Sequence, residues 1–267
     1  MKLCVCSKGG KELFAAAGQD RIDVVYPERY RKGDVVALTV DTPGFYEVCF
    51  EDTMPPALLY IHEKAIFVIP FGRMERIGYS PRSFKGPQHL LSAHKARTAQ
   101  IEARRNLALN PYDQHETGSS FPHASASTET RGEALFAARN AIDGVFANTA
   151  HYPWPFQSWG INKDPNAALT IAFGVPVTLD EIVLTLRADY PHDSHWTGAT
   201  IEFSDGSRER LALKKATTPQ AFPIAPRTVS FLTLKELTKA EDESPYPALT
   251  QIEAWGIVAK ENEHGSV

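Results

Sequence analysis

Short runs of alternating apolar and polar residues dominate the first 80 positions. Val35–Val40, Phe45–Glu51, Ala57–Ile61 and Ala65–Ile69 are rich in β-branched and aromatic residues, the composition of strands. Lys32-Gly33-Asp34, Thr42-Pro43-Gly44 and Met54-Pro55-Pro56 supply turn residues between them. Strand starts recur at roughly ten-residue spacing, which predicts a small antiparallel sandwich or meander over 1–80. Gly, Pro and Arg then dominate, and Thr98 opens a short run of helix formers. Residues 81–105 therefore read as a connector with one short helix.

A second, longer β unit is expected from Asn106 to about residue 258, followed by a flexible tail over 259–267. Its one helix is expected at Glu133–Ile142, capped upstream by Thr130 and closed by Asp143-Gly144. Strand patterns follow at Leu169–Phe173, Glu181–Leu186, Thr200–Phe203, Glu209–Leu213, Val229–Leu234 and Ile252–Ile257. Gly174, Pro176, Pro219, Pro226 and Pro245 punctuate them, and Asp205-Gly206 supplies a hairpin turn. No helix follows each strand, which excludes a parallel α/β sheet. The expected fold is all-β: an N-terminal β-sandwich, a helical connector and a C-terminal antiparallel jelly roll.

Composition narrows the class further. With 43% hydrophobic and 22% charged residues, the chain is globular rather than disordered. No stretch approaches the ~20 apolar residues of a membrane span, and Met1–Cys6 is broken at once by Ser7-Lys8-Gly9. Neither a membrane partner nor a signal peptide is expected, and the cytoplasm is the expected location. Cys4, Cys6 and Cys49 are too few for a structural zinc site; Cys4 and Cys6 alternate onto one strand face, where reduced thiols are expected. The net charge of -4 is uneven: Arg73 to Arg105 carries eight basic side chains against Glu75 and Glu102. That segment reads either as an anion patch or as a solvated connector whose arginines pair with the acidic C-terminal unit. Tyr79 and Phe84 are its only aromatic residues, short of the successive stacking faces a nucleic-acid groove requires, so nucleic acid is not an expected partner.

The densest chemistry lies between two strand patterns, from Arg187 to Trp196. Arg187, Asp189, His192, Asp193, His195 and Trp196 offer a guanidinium, carboxylates, imidazoles and an indole within ten residues. Alternation over Val183–Arg187 puts Val183, Thr185 and Arg187 on one face and Leu184 and Leu186 on the other. The group suits a polyhydroxylated ligand through bidentate hydrogen bonds and stacking. It equally suits an internal ion-pair brace, or a metal held by His192, Asp193 and His195. Nearby, His151–Trp159 holds two tryptophans, a tyrosine and a phenylalanine broken by prolines. Trp159 is expected to plug the sandwich, and Trp154 to offer a stacking face. Asp143-Gly144, with oxygens a few residues on near Asn148, reads as a plain turn or as part of a calcium shell. No Gly-x-Ser-x-Gly, phosphate loop or His-Glu-x-x-His motif is present, which leans toward binding over catalysis.

Asn106-Leu-Ala-Leu-Asn110, Ala141-Ile-Asp-Gly144, Trp159, Ala168–Gly174, Leu179–Leu184 and Leu249–Gly256 occur in order. That series resembles the discoidin-like, galactose-binding-fold modules, relatives of coagulation-factor C domains and of many carbohydrate-binding modules. The resemblance covers about residues 106–257 and implies a jelly roll with ligand-binding loops at one end. It also implies one structural calcium, held at positions matching Asp143 and Glu253 with oxygens near Asn148. The apolar Val145-Phe146-Ala147 departs from the family's turn. The function expected from these readings is non-catalytic carbohydrate binding through Arg187, Asp189, His192, Asp193, His195, Trp196 and Trp154. The alternatives are a sugar-acting hydrolase or lyase using the same cluster, and an assembly module whose aromatics form a subunit interface in a homo-oligomer.

Overall fold

The structure, a computed structural model, describes residues 1–147, 154–189 and 194–260; the expected tail beyond 260 lies outside them. In chain order the strands are β1 (Lys2–Cys6), β2 (Glu12–Ala17), β3 (Arg21–Tyr26), β4 (Val35–Thr39), β5 (Gly44–Cys49) and β6 (Ala57–Val68). Helix α1 (Arg73–Arg76), β7 (His89–Lys95) and helix α2 (Thr98–Glu102) follow, then β8 (Arg105–Asn106), β9 (Gly118–Phe121), β10 (His123–Ala126) and β11 (Trp159–Gly160). The last five are β12 (Leu169–Arg187), β13 (Trp196–Phe203), β14 (Arg208–Ala212), β15 (Gln220–Lys239) and β16 (Ala248–Val258).

Among the described residues the first sheet runs β2-β1-β4-β6-β5-β7-β3, with β9 also on β6. β6 joins the two strands expected separately at Ala57–Ile61 and Ala65–Ile69. Its first half pairs with β5 and its second with β4. Leu3, Val5, Val36, Leu38, Leu59, Ile61 and Phe67 pack between them. Cys4 and Cys49 are buried free thiols, and the Cys4 and Cys6 sulfurs lie 3.4 Å apart on one face.

The second sheet runs β11-β16-β12-β15-β13-β14, with β10 also on β12 and β8 on β16. The first part of β12 lies between β10 and the end of β15; after irregularities between Ala172 and Glu181 it lies between β16 and the start of β15. β12 and β15 thus pass from one layer to the other, closing an antiparallel β-sandwich. Leu169, Ile171, Leu184, Leu186, Ile201, Leu232, Leu234 and Ile252 fill it, and Trp159 is wholly buried with its indole N–H on the Thr128 carbonyl.

Two expectations are corrected. The expected connector supplies a strand: β7 pairs with β5 and β3, burying Leu91 and Ala93 in the first core. The two units are also laced together, since β9 pairs with β6 while β10, one residue later, pairs with β12. The expected helix over Glu133–Ile142 is instead a run of 3-10 turns at Thr130–Gly132, Ala134–Phe136 and Ala138–Ala141. Ala137 is extended between two of them, and the Ala138 N–H donates to the Glu129 carboxylate rather than to a helical carbonyl. No helix of the described residues is long and apolar enough to cross a membrane.

Candidate binding cleft

The structure divides the residues expected to grip a ligand. His192 and Asp193 lie outside the described residues. Arg187, at the end of β12, has a wholly buried side chain. Its Nε donates to Asp189 Oδ1 at 3.2 Å and its Nη1 to the Phe156 carbonyl. Burial pulls its pKa down, opposed by the attraction of Asp189. Trp196 corrects the expectation of a stacking face: it is 1% exposed, tilted against Trp159 with ring centroids 6.1 Å apart in the sandwich core. His195 is half-buried, and its Nδ1 has no hydrogen-bond partner among the described residues. Arg187 and Asp189 therefore brace the fold, and what Arg187 holds is the segment that carries Trp154.

That segment is pinned at four successive points. Arg187 holds the Phe156 carbonyl; Gln157 Nε2 donates to Asp143 Oδ2 at 3.0 Å; the Ser158 N–H donates to the Leu135 carbonyl; Trp159 is in the core. Asn140 binds from below, its Nδ2 donating to the Ala134 and Ser158 carbonyls. Trp154, two residues before Phe156, is half-buried. Its indole N–H has no hydrogen-bond partner among the described residues.

Asp143 and Glu253 do not meet at one site. Asp143 is buried, and burial raises its pKa against the pull of Arg139. Its Oδ1 accepts from the Val145 N–H at 2.9 Å and from Gln251 Nε2 at 2.7 Å. Glu253 instead accepts the indole N–H of Trp255 at 2.9 Å. Asn148 lies outside the described residues, and among them no group of three or more His, Cys, Asp or Glu is placed to hold a metal ion. The donors already on Asp143 do not fit the implied calcium, because N–H groups point where a cation would need oxygen.

Trp154 and Phe156 form one wall of a cleft of about 420 Å³ whose other wall comes from the first unit. Arg73, Arg76, Tyr79 and Lys85 line that second wall, and among the described residues no carboxylate lines the cleft. The wall is held from both sides. Arg139 stacks over Tyr79 at 4.4 Å, while its Nε donates to the Asp113 carbonyl. Arg76 donates to the Ser83 carbonyl, and Glu51 accepts the N–H of Phe84 at 3.1 Å. Thr53 links the two, its hydroxyl 2.9 Å from Glu51 and 2.5 Å from the Ser83 hydroxyl.

Glu51 carries a pH signature. Burial first, and then its hydrogen bond with Asp52, push its carboxyl up to about 7. The folded value exceeds the ordinary 4.5, so between those pH values the unfolded chain has released a proton that the folded chain keeps. Stability is expected to fall as pH rises through that window and to level off above it. Urea denaturation across the window should show the slope in the parent chain and a flatter one in Glu51→Gln. An identical slope in both would remove Glu51 as its source.

Sequence reasoning found the basic segment and Trp154 separately but not their meeting. It also missed a pair joining a buried carboxylate to a half-buried imidazole: Asp113 Oδ1 lies 2.8 Å from His123 Nδ1, while Oδ2 accepts the Ala124 N–H. His123 and His115 border a groove with Ser125 and Ser127, and His115 is held by Glu129 at 3.0 Å. Their spacing carries no motif that would have singled them out.

No family model matches the chain, and no curated protein matches it in sequence. Among solved structures it is similar to chitosan-binding module 1 of a chitosanase/glucanase from Paenibacillus sp. IK-5, at 20% identity and TM-score 0.39, covering 57% of this chain and 99% of that one. It is also similar to the lectin-binding domain of lectinolysin (a mutant form complexed with Lewis b), at 13% identity and TM-score 0.43 over 58% of this chain and 98% of that one. The family 32 carbohydrate-binding module of NanJ from C. perfringens, in complex with galactose, matches at 15% identity and TM-score 0.38 over 49% and 91%.

Proposed function

We propose that the protein is a non-catalytic carbohydrate binder whose ligand occupies the Trp154 cleft and carries acidic groups. One observation carries this reading: Arg73, Arg76 and Lys85 line the same cleft as Trp154, with no carboxylate among its described lining residues, in a chain of net charge -4. An indole offers a flat apolar surface to the C–H face of a pyranose ring. Guanidinium groups hold a carboxylate or sulfate in bidentate fashion, with the geometry that orients a ligand. The volume falls within the ~300–1,000 Å³ common to small-ligand pockets. A cleft of this size with one half-buried indole suits a short saccharide better than a nucleic-acid strand, which needs an extended basic track with successive stacking faces.

Calorimetric titration with neutral, uronate-bearing and sulfated oligosaccharides, and with a single-stranded oligonucleotide, tests this. The acidic saccharides are expected to bind at least ~10-fold more tightly than neutral ones of equal length, and to weaken as salt screens the exposed cations. Changing Arg73 and Lys85 together to Gln, with Arg76 kept for its bond to the Ser83 carbonyl, should erase most of that preference and of the salt dependence, with the melting temperature held. Equal affinity for neutral and acidic sugars, tighter binding of the oligonucleotide, or turnover of any saccharide would overturn the reading.

A further inference from the structure

We infer that the side-chain amide of Gln251 does the work of a bound cation at the Asn140–Val145 turn, so that the Trp154 segment is locked without metal. Three oxygens converge on one nitrogen. Gln251 Nε2 lies 2.7 Å from the Asn140 carbonyl, 2.7 Å from Asp143 Oδ1 and 3.4 Å from the Val145 carbonyl. Inward-facing oxygens from residues so close in sequence need a positive partner; a hard cation is one solution and an amide N–H pair is another.

The orientation of the amide is fixed by its neighbours. Gln251 Oε1 accepts the Gly144 N–H at 3.0 Å, a group that can only donate. The Asn140 carbonyl on the other side can only accept, so the nitrogen must face it. The two 2.7 Å separations are hydrogen-bond lengths, longer than the ~2.3–2.6 Å of calcium–oxygen contacts. Gln251 reaches the turn because it stands on β16 opposite Thr185 of β12, on the face away from the sandwich core. The lock extends to the cleft, since Asp143 Oδ2 holds Gln157, the residue after Phe156 and its carbonyl clamp by Arg187.

Two substitutions separate an amide lock from a cation site. Gln251→Glu replaces the N–H donors by a carboxylate facing Asp143, which creates an anionic cage suited to a divalent ion. Gln251→Met removes the donors at similar volume and supplies no charge. Thermal unfolding of the full chain should give the same melting temperature for the parent protein in excess chelator and in millimolar calcium chloride. Gln251→Glu should melt lower in chelator and recover on the order of 5 °C or more with calcium, with one calcium bound by calorimetry. Gln251→Met should melt lower and ignore calcium. Stoichiometric calcium binding by the parent protein, or a calcium-dependent rise in its melting temperature, would overturn the inference. So would a Gln251→Met protein as stable as the parent.

Discussion

Replacing Arg187 by Met is expected to destabilise the protein by about 3–5 kcal/mol, the usual consequence of removing one partner from a buried ion pair. Its side chain is wholly buried, and Asp189 beside it is 15% exposed. The substitution leaves that carboxylate without its counter-charge and the Phe156 carbonyl without this donor. Lys at this position keeps the charge, but its point-like ammonium cannot reproduce the guanidinium's directed contacts with Asp189 and the Phe156 carbonyl. Arg187→Lys should therefore recover only part of the loss. Removing both charges, with Arg187→Met and Asp189→Leu together, should recover more than either single change, because neither charge of this pair is then left without the other. Urea denaturation of the four proteins reads all of this. A parent-like midpoint for Arg187→Met, with ligand affinity lost, would make Arg187 a ligand contact and not a brace.

Trp154→Ala is expected to act on binding and to spare the fold. Truncating an aromatic anchor in a small-ligand site costs about 2 kcal/mol or more, a loss of roughly 30-fold in affinity. Trp154 is half-buried, and its neighbours Phe156, Gln157 and Ser158 keep their own anchors. The melting temperature should move little, and Trp154→Phe should retain much of the affinity. Trp196→Ala is the contrasting control. That side chain fills the core against Trp159, so its loss should cost ~3–5 kcal/mol of stability. If Trp154→Ala left saccharide affinity unchanged, the cleft would lose its principal wall.

Local pattern carried much of the fold. Alternation over Val183–Arg187 put Leu184 and Leu186 together on one face, and both lie in the sandwich core. Asp205-Gly206 forms the expected turn, with Gly206 at φ 82°. Elements that depend on distant partners were harder to read. Glu133–Ile142 has helical composition, but Asn140 spends its side chain on the Ala134 and Ser158 carbonyls, and the Ala138 N–H goes to Glu129. Tertiary hydrogen bonds thereby replace a helical ladder. Gly118–Phe121 carries no local mark of which sheet it joins, so its pairing with β6 could not be foreseen.

The site shows the same division. The Arg187 loop stood out because its polar groups are close in sequence, and closeness in sequence equally serves an internal brace. Arg73, Arg76 and Lys85 stood out as charge, Trp154 as an aromatic in a proline-rich run. Nothing local joins positions about 70 residues apart. The turn at Asp143 was read as a plain turn or as part of a calcium shell, whereas Gln251, whose amide meets it, stands on the last strand.

The indole N–H signals of the four tryptophans in the NMR spectrum of the labelled full chain offer the most direct test. Trp154 borders the cleft, Trp159 and Trp196 are buried in the core, and Trp255 is held by Glu253. Titration with a uronate-bearing oligosaccharide is expected to shift the Trp154 signal progressively to saturation and to leave Trp159 and Trp196 in place. A saturating shift at Trp196 or Trp255 with Trp154 unmoved would place the ligand elsewhere and contradict the cleft as the binding site.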